Sequence, residues 1–208
     1  MGNLTDEELR TFRRLSTPKK IQDYLDTLPI NHEKKGETSY SPRLVIQEQK
    51  AHCFEGALFA AAALAFHQEK PLILNLRVVP KDDDHAITLY RRNGYWGALS
   101  KTNHATLRFR DPIYKSLREL AASYFHECFL NERGLKTLRA YSKPLNMNQF
   151  GTHWITSEKP LWNIAHALRD SEHIPLFPSE NRKYIRHVSP LERKAGALIE
   201  WPESNSRT

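Results

Sequence analysis

A chain of 208 residues carries 31 basic and 24 acidic side chains, a formal charge of +7 and two cysteines. That length buries the core of one domain, with or without an appendage, and two cysteines exclude a disulfide framework. The basic residues are spread out with no run of five or more, which argues for a solvated basic surface and against a nucleic-acid partner.

The N-terminus has no basic-then-apolar signal pattern, and Asp6 stands where a myristoylation signal at Gly2 needs Ser or Thr. Thr5 and Glu8 have capping-box spacing, with Leu9, Phe12 and Leu15 following at helical intervals. Thr17-Pro18 opens a second predicted helix with Ile21, Tyr24, Leu25 and Leu28 on its apolar face, and Pro29 stops it. Residues 32–42 are polar, contain Gly36 and Pro42, and read as a surface loop. From Phe54 to Phe66 only Glu55 and Gly56 are neither apolar nor alanine. Alanine and leucine favour helix, and a helix apolar all round must be surrounded by protein, so this one is the predicted central buried helix. Its apolar run from 57 to 66 is too short to cross a bilayer. Gly56, one turn in, allows a neighbouring segment to approach closely.

Residues 72–79 are a predicted strand with Leu72, Leu74, Leu76 and Val78 on one face. A loop holds Asp82, Asp83 and Asp84; residues 85–90 form a second strand, Asn93-Gly94 is a hairpin turn, and residues 95–100 return antiparallel. Residues 106–110 read as a third strand ended by Asp111-Pro112. Leu117, Leu120, Ala121, Tyr124, Phe125, Cys128 and Phe129 keep helical spacing, with Gly134 as a later stop. A further helix is predicted over 157–168, and Ser189-Pro190 opens a short one. The remainder of the C-terminal part reads as irregular, with a loose tail over 203–208. This order predicts an α+β class. It is one domain with its core at about 40–112 and helical extensions over 1–30 and 113–200.

Chemistry centres on Cys53. A thiol at a helix start meets free backbone N–H groups and the positive end of the helix dipole, which favour the thiolate. A cysteine nucleophile needs a base, usually histidine, and a group to orient that base. Among the ten histidines, His85 stands out because it opens a strand directly after the acidic loop. No metal is expected: His126-Glu127-Cys128 and His52-Cys53 are neighbours whose side chains point apart, and no pair has zinc-site spacing. Cys128 falls on the apolar stripe of its helix and reads as core. No cofactor is expected either, because the few glycines never take the spacing of a phosphate loop.

The stretches Cys53-Phe54-Glu55-Gly56-Ala57-Leu58-Phe59, His85-Ala86-Ile87-Thr88-Leu89-Tyr90 and Asn93-Gly94-Tyr95-Trp96 together resemble the transglutaminase-like core of the papain-like fold. The resemblance covers roughly 40–112, includes similarity to bacterial members of that superfamily, and implies a Cys-leading helix packed on an antiparallel sheet. It implies a cysteine hydrolase or acyltransferase acting on an amide or thioester of a peptide, a protein or a small molecule, with Cys53 as nucleophile and His85 as base. The family places its orienting aspartate four residues after the hairpin tryptophan, and that position here is Ser100. Asn103 is a second candidate orienter, as an asparagine serves in papain-like proteases. Asp111 and the acidic-loop residues Asp83 and Asp84 are further candidates. The competing expectation is a binding module on the same fold whose cleft does no chemistry. A functional thiol needs a reducing compartment, and a cytoplasmic protein is expected.

Overall fold

The computed structural model describes residues 3–34 and 36–202, so Gly2 and the expected loose tail over 203–208 lie outside the described residues. The helices are α1 (Asp6–Arg14), α2 (Pro18–Thr27), α3 (Pro42–Glu48), α4 (Cys53–Phe66), α5 (Leu117–Ser123), α6 (Trp162–Arg169) and α7 (Pro190–Gly196). The strands are β1 (Leu72–Arg77), β2 (His85–Arg92), β3 (Tyr95–Leu99), β4 (Arg110–Tyr114), β5 (Phe129–Leu130), β6 (Leu135–Lys136), β7 (Ala140–Ser142), β8 (Leu145–Asn146) and β9 (His173–Pro175). The class is α+β. Seven strands make one antiparallel sheet in the order β4-β3-β2-β1-β7-β9, with β8 also on β1; β5 and β6 form a separate hairpin.

The start signals act as capping rules require. Thr5 and Glu8 form a reciprocal capping box at α1, and the Thr17 hydroxyl accepts from Lys20 N–H at the start of α2. The β2–β3 hairpin turns on Asn93 (φ 49°) and Gly94 (φ 87°), the left-handed pair that a two-residue turn needs. It registers Arg92 on Tyr95 and Thr88 on Leu99. Strand alternation then sorts side chains to two faces. Ile73, Ala86, Tyr90 and Leu99 face α4 and its helical neighbours, whereas Leu74, Leu76, Ile87, Leu89 and Ala98 pack with Leu120, Ala121 and Tyr124. Helix α4 is buried from Phe54 to Leu64, as an all-round apolar helix requires.

Several elements differ from the expectation. Residues 106–109 are not strand; β4 begins at Arg110 and contains Pro112, which an edge strand tolerates because one of its sides needs no ladder donor. The helix expected through Phe129 ends at Ser123, and Phe129 enters the β5–β6 hairpin. Helix α6 begins at Trp162 rather than near Ser157, after Pro160. Helix α3 was not expected: Ser41 caps it and Pro42 takes its first position. The C-terminal part read as irregular contributes β7, β8 and β9 to the main sheet.

Gly56 is where α4 meets the chain leaving β3. A Cβ there would lie 2.4 Å from Lys101 Cβ, so the close approach expected at this glycine is present. Lys101 is fully buried, donates from Nζ to Leu28 O, and burial lowers its pKa to about 8 despite the nearby Asp26 and Glu200 carboxylates. Gln22 of α2 grips the preceding residue twice, accepting from Ser100 N–H (3.0 Å) and donating to Ser100 O (2.8 Å). Helices and sheet are therefore pinned together beside Ser100. Among the described residues, no helix is long and apolar enough to cross a membrane.

Candidate active site around Cys53

Cys53 is the first residue of α4, where first-turn N–H groups have no acceptor inside the helix. Its half-buried thiol donates to Asp84 O at 3.9 Å. That carbonyl is held still because the Asp84 carboxylate accepts from Val78 N–H (2.9 Å) and Asn75 Nδ2 (2.8 Å), closing the loop into β2. Asp84 is thus an anchor of the loop rather than an orienter of His85.

His85 opens β2 and is buried. Alternation puts it on the face of Ile87 and Leu89, whereas Thr88 points to α4 and donates to Ala57 O (2.6 Å). At the open end of the strand the imidazole lies close enough to Cys53 to help lower the thiol's pKa. Its Nε2 lies 2.7 Å from Ser100 Oγ. The single hydroxyl hydrogen of Ser100 is donated to Leu107 O, so Ser100 accepts from His85 and the Nε2 of His85 carries the proton. Cys53, His85 and Ser100 are brought together.

Asn103 is not brought to this group. Its side chain clasps the C-terminal segment, donating to Trp201 O (2.9 Å) and accepting from Trp201 N–H (2.8 Å). Both functions of the amide are used three residues beyond Ser100, on a chain that has left the sheet. Asp111 is exposed on edge strand β4, lining a cavity of about 580 Å³ with Lys19, Tyr90 and Phe109 that holds no thiol. Asp83 is exposed, and its backbone N–H bonds Asp82.

The thiol opens into a smaller cavity of about 240 Å³ whose lining includes His52, Phe54, Asn75, Ala86, Trp162 and Arg169. His85 lines another cavity, with Leu107, Glu127 and Cys128. The two side chains therefore line different cavities, because His85 belongs to the face of the sheet opposite α4.

Two residues that sequence reasoning did not select complete the surroundings. His52 caps α4, its Nδ1 accepting from Phe54 N–H at 3.3 Å. Glu55 is fully buried and accepts from Thr38 Oγ1 (2.7 Å), Tyr40 N–H (3.0 Å), His52 N–H (3.0 Å) and Asn31 Nδ2 (3.1 Å). Enough donors satisfy this buried carboxylate, and they fasten residues 31–40 to the start of α4. The spacing of His52 and Glu55, three apart before an apolar run, is the capping signal that could have revealed both.

Burial alone would push the Cys53 thiol up. Contacts with the His52 and His85 rings outweigh it and bring the thiol down to about 5. Burial alone would push His52 down, but Cys53, Glu55 and Glu33 raise it to about 9. Cys128, buried beside Tyr124 and without such partners, is pushed up to about 12 by burial. The arrangement can hold a thiolate at neutral pH at one cysteine and not at the other. Among the described residues, no group of three or more His, Cys, Asp or Glu side chains is placed to hold a metal ion. No protein-family model matches the chain, and no curated protein matches it in sequence.

Proposed function

We propose that the chain is a cysteine-dependent hydrolase or acyltransferase of the transglutaminase-like, papain-like kind, acting on an amide or thioester. The observation that carries this reading is the thiol of Cys53 at the start of a buried helix, its pKa lowered by the nearby His52 and His85 rings, with the Nε2–H of His85 held by Ser100. The Cys53 thiol gives its proton to His85 as the sulfur attacks the carbonyl carbon, and the developing oxyanion meets the Cys53 N–H at the helix start. As the tetrahedral species collapses, the bond to the leaving group breaks and the leaving amine or thiol takes a proton through His85. Water or an amine then attacks the thioester and gives its proton to His85, and the bond to sulfur breaks as Cys53 takes that proton back from His85. Ser100 keeps the ring in one tautomer throughout, with the lone pair of the other nitrogen free for these transfers. A peptide, a protein side chain or a small amide fits this chemistry, and a reducing, cytoplasmic compartment suits the free thiol.

The second reading is a binding module on the same fold. It is favoured by Ser100, a neutral group that stabilises an imidazolium less than a carboxylate does, and by the burial of His85. Iodoacetamide labelling near neutral pH, read by peptide mass spectrometry, separates the two. The enzyme reading expects Cys53 to be alkylated far faster than Cys128 and to slow in His85→Asn. Equal labelling, or labelling indifferent to His85, favours the binding module.

A further inference from the structure

Asn75 stands on β1 opposite Ala86 of β2, and strand alternation puts it on the same face as Ile73, toward α4. It is 4% exposed and lines the cavity of Cys53. Its amide nitrogen is fully used: one hydrogen goes to Asp84 Oδ2 (2.8 Å) and the other to His173 Nε2 (3.2 Å). Both partners are acceptors. A carboxylate offers only lone pairs. His173 gives its Nδ1 hydrogen to Ser171 O (2.6 Å), and burial outweighs that bond to hold its pKa below the ordinary histidine value, so Nε2 keeps a lone pair. The amide therefore stands one way round, with Nδ2 toward these two acceptors and Oδ1 away from them.

Oδ1 accepts a hydrogen bond from none of the described residues. Nor is it sealed in protein: the sealed side-chain atoms without a partner among the described residues are Ser39 Oγ, Thr137 Oγ1 and Trp201 Nε1. It opens on the cavity that Asn75 lines. The other side-chain acceptors of that lining are engaged, Thr38 Oγ1 by Asn31 Nδ2 (2.8 Å), His52 Nδ1 by Phe54 N–H, and the Asp84 carboxylate by Asn75 and Val78. Asp84 also ties this amide to the thiol, because its carboxylate holds Asn75 and its carbonyl accepts from Cys53 Sγ.

We infer that Asn75 sets the specificity of the Cys53 site: its Oδ1 accepts an N–H of the substrate, so the cavity takes an amide in preference to an ester or thioester of the same shape. This assignment rests on the proposed nucleophilic role of Cys53 and narrows its substrate class. Phe54, Ala86 and Trp162 give the cavity apolar walls, and its volume of about 240 Å³ is below the roughly 300 Å³ at which sites for drug-sized ligands begin. That is room for one amide-bearing segment. A buried acceptor left unmet costs free energy, and a site built to receive an N–H rejects the isostere that lacks it more strongly than an apolar pocket rejects a missing methylene.

The test compares two probes of one shape: N-methyl-2-iodoacetamide, which carries an N–H, and methyl iodoacetate, which has an ester oxygen in its place. Alkylation of Cys53 is followed by peptide mass spectrometry, and each rate is divided by that of the same probe with glutathione to remove intrinsic reactivity. The normalised rates should favour the amide by roughly 10-fold or more in the wild type and by less than about twofold in Asn75→Ala. A wild-type ratio near one, or a preference that survives in Asn75→Ala, overturns the inference. Should Asn75→Ala not fold, carbon NMR of the wild-type side chain decides: a shift of Asn75 Cγ with N-methylacetamide and not with methyl acetate supports the inference, and equal shifts or none overturn it. The ratio and the absolute rate keep the two readings apart. Slow labelling indifferent to His85→Asn, with the amide preference present, upholds an amide-reading cavity and sinks the Cys53–His85 reading; fast, His85-dependent labelling with a ratio near one does the opposite.

Discussion

Gly56→Ala tests how tightly the candidate site depends on the packing of α4. The added Cβ would lie 2.4 Å from Lys101 Cβ and 3.1 Å from Lys101 Cγ. Carbon pairs prefer about 3.5–4.0 Å, so the helix and the segment leaving β3 must part by about 1 Å. The closer contact cannot be relieved by a rotamer change, because a Cβ is fixed by the main chain. Overpacking of this kind costs about 1–3 kcal/mol, and the anchored geometry points to the upper end. Alanine in place of glycine in a helix returns about 1 kcal/mol, leaving a net destabilisation of about 2 kcal/mol. For a chain of this size that lowers Tm by about 4–8 °C. Gly56 is one turn from Cys53, and Lys101 follows Ser100, so the same displacement carries the thiol away from His85. Thermal unfolding followed by circular dichroism, with Cys53 alkylation measured on the folded protein, reads both effects. A Tm equal to or above wild type, as an unobstructed Gly→Ala in a helix would give, together with an unchanged alkylation rate, would refute the reasoning.

Ser100→Ala strands the Nε2–H of buried His85 and frees Leu107 O; it should cost about 1–3 kcal/mol and slow Cys53 alkylation roughly tenfold, measured by melt and by labelling kinetics. Asn103→Ala should leave that rate within about twofold of wild type while loosening the 199–202 segment it clasps, as hydrogen exchange of Trp201 would report. Stability against pH, taken as the difference between wild type and Cys53→Ala, should rise between about pH 5 and 6.5. In that window the unfolded chain keeps a thiol proton that the folded one has released. A difference curve that falls from pH 5 to 6.5 contradicts the assigned directions.

What the sequence disclosed follows the strength of its local signals. The buried helix was legible because its apolar run from 57 to 66 is unbroken, and the hairpin because Asn93-Gly94 admits few other conformations. The start of β4 was misplaced because Pro112 reads as a strand breaker, and only its edge position, a tertiary fact, makes it acceptable. β7 and β9 have three residues each and β8 two, too few to display an alternation, and they exist because β1 has an open edge to fill. At the site, Cys53 and His85 could be singled out by their places at the starts of elements. Ser100 was marked only by the resemblance, and Asn103 was equally plausible until its amide was seen to hold Trp201. The separate cavity of His85 and the grip of Gln22 on Ser100 depend on contacts between residues up to 78 apart in sequence, which no local pattern encodes. His52 was passed over because adjacency to Cys53 suggested a metal pair, whereas its role is set by Glu55 and by Glu33 from another segment.

The central claim, that Cys53 is an acyl-accepting nucleophile served by His85, is tested most directly by exposing the protein to p-nitrophenyl acetate and locating the acetyl group by peptide mass spectrometry. The account predicts a hydroxylamine-sensitive thioester on Cys53 that forms and turns over in the wild type. It should form at least tenfold more slowly in His85→Asn, and it should be absent from Cys128. An acetyl group found only on lysines, or a Cys53 thioester that forms equally fast without His85, would contradict it.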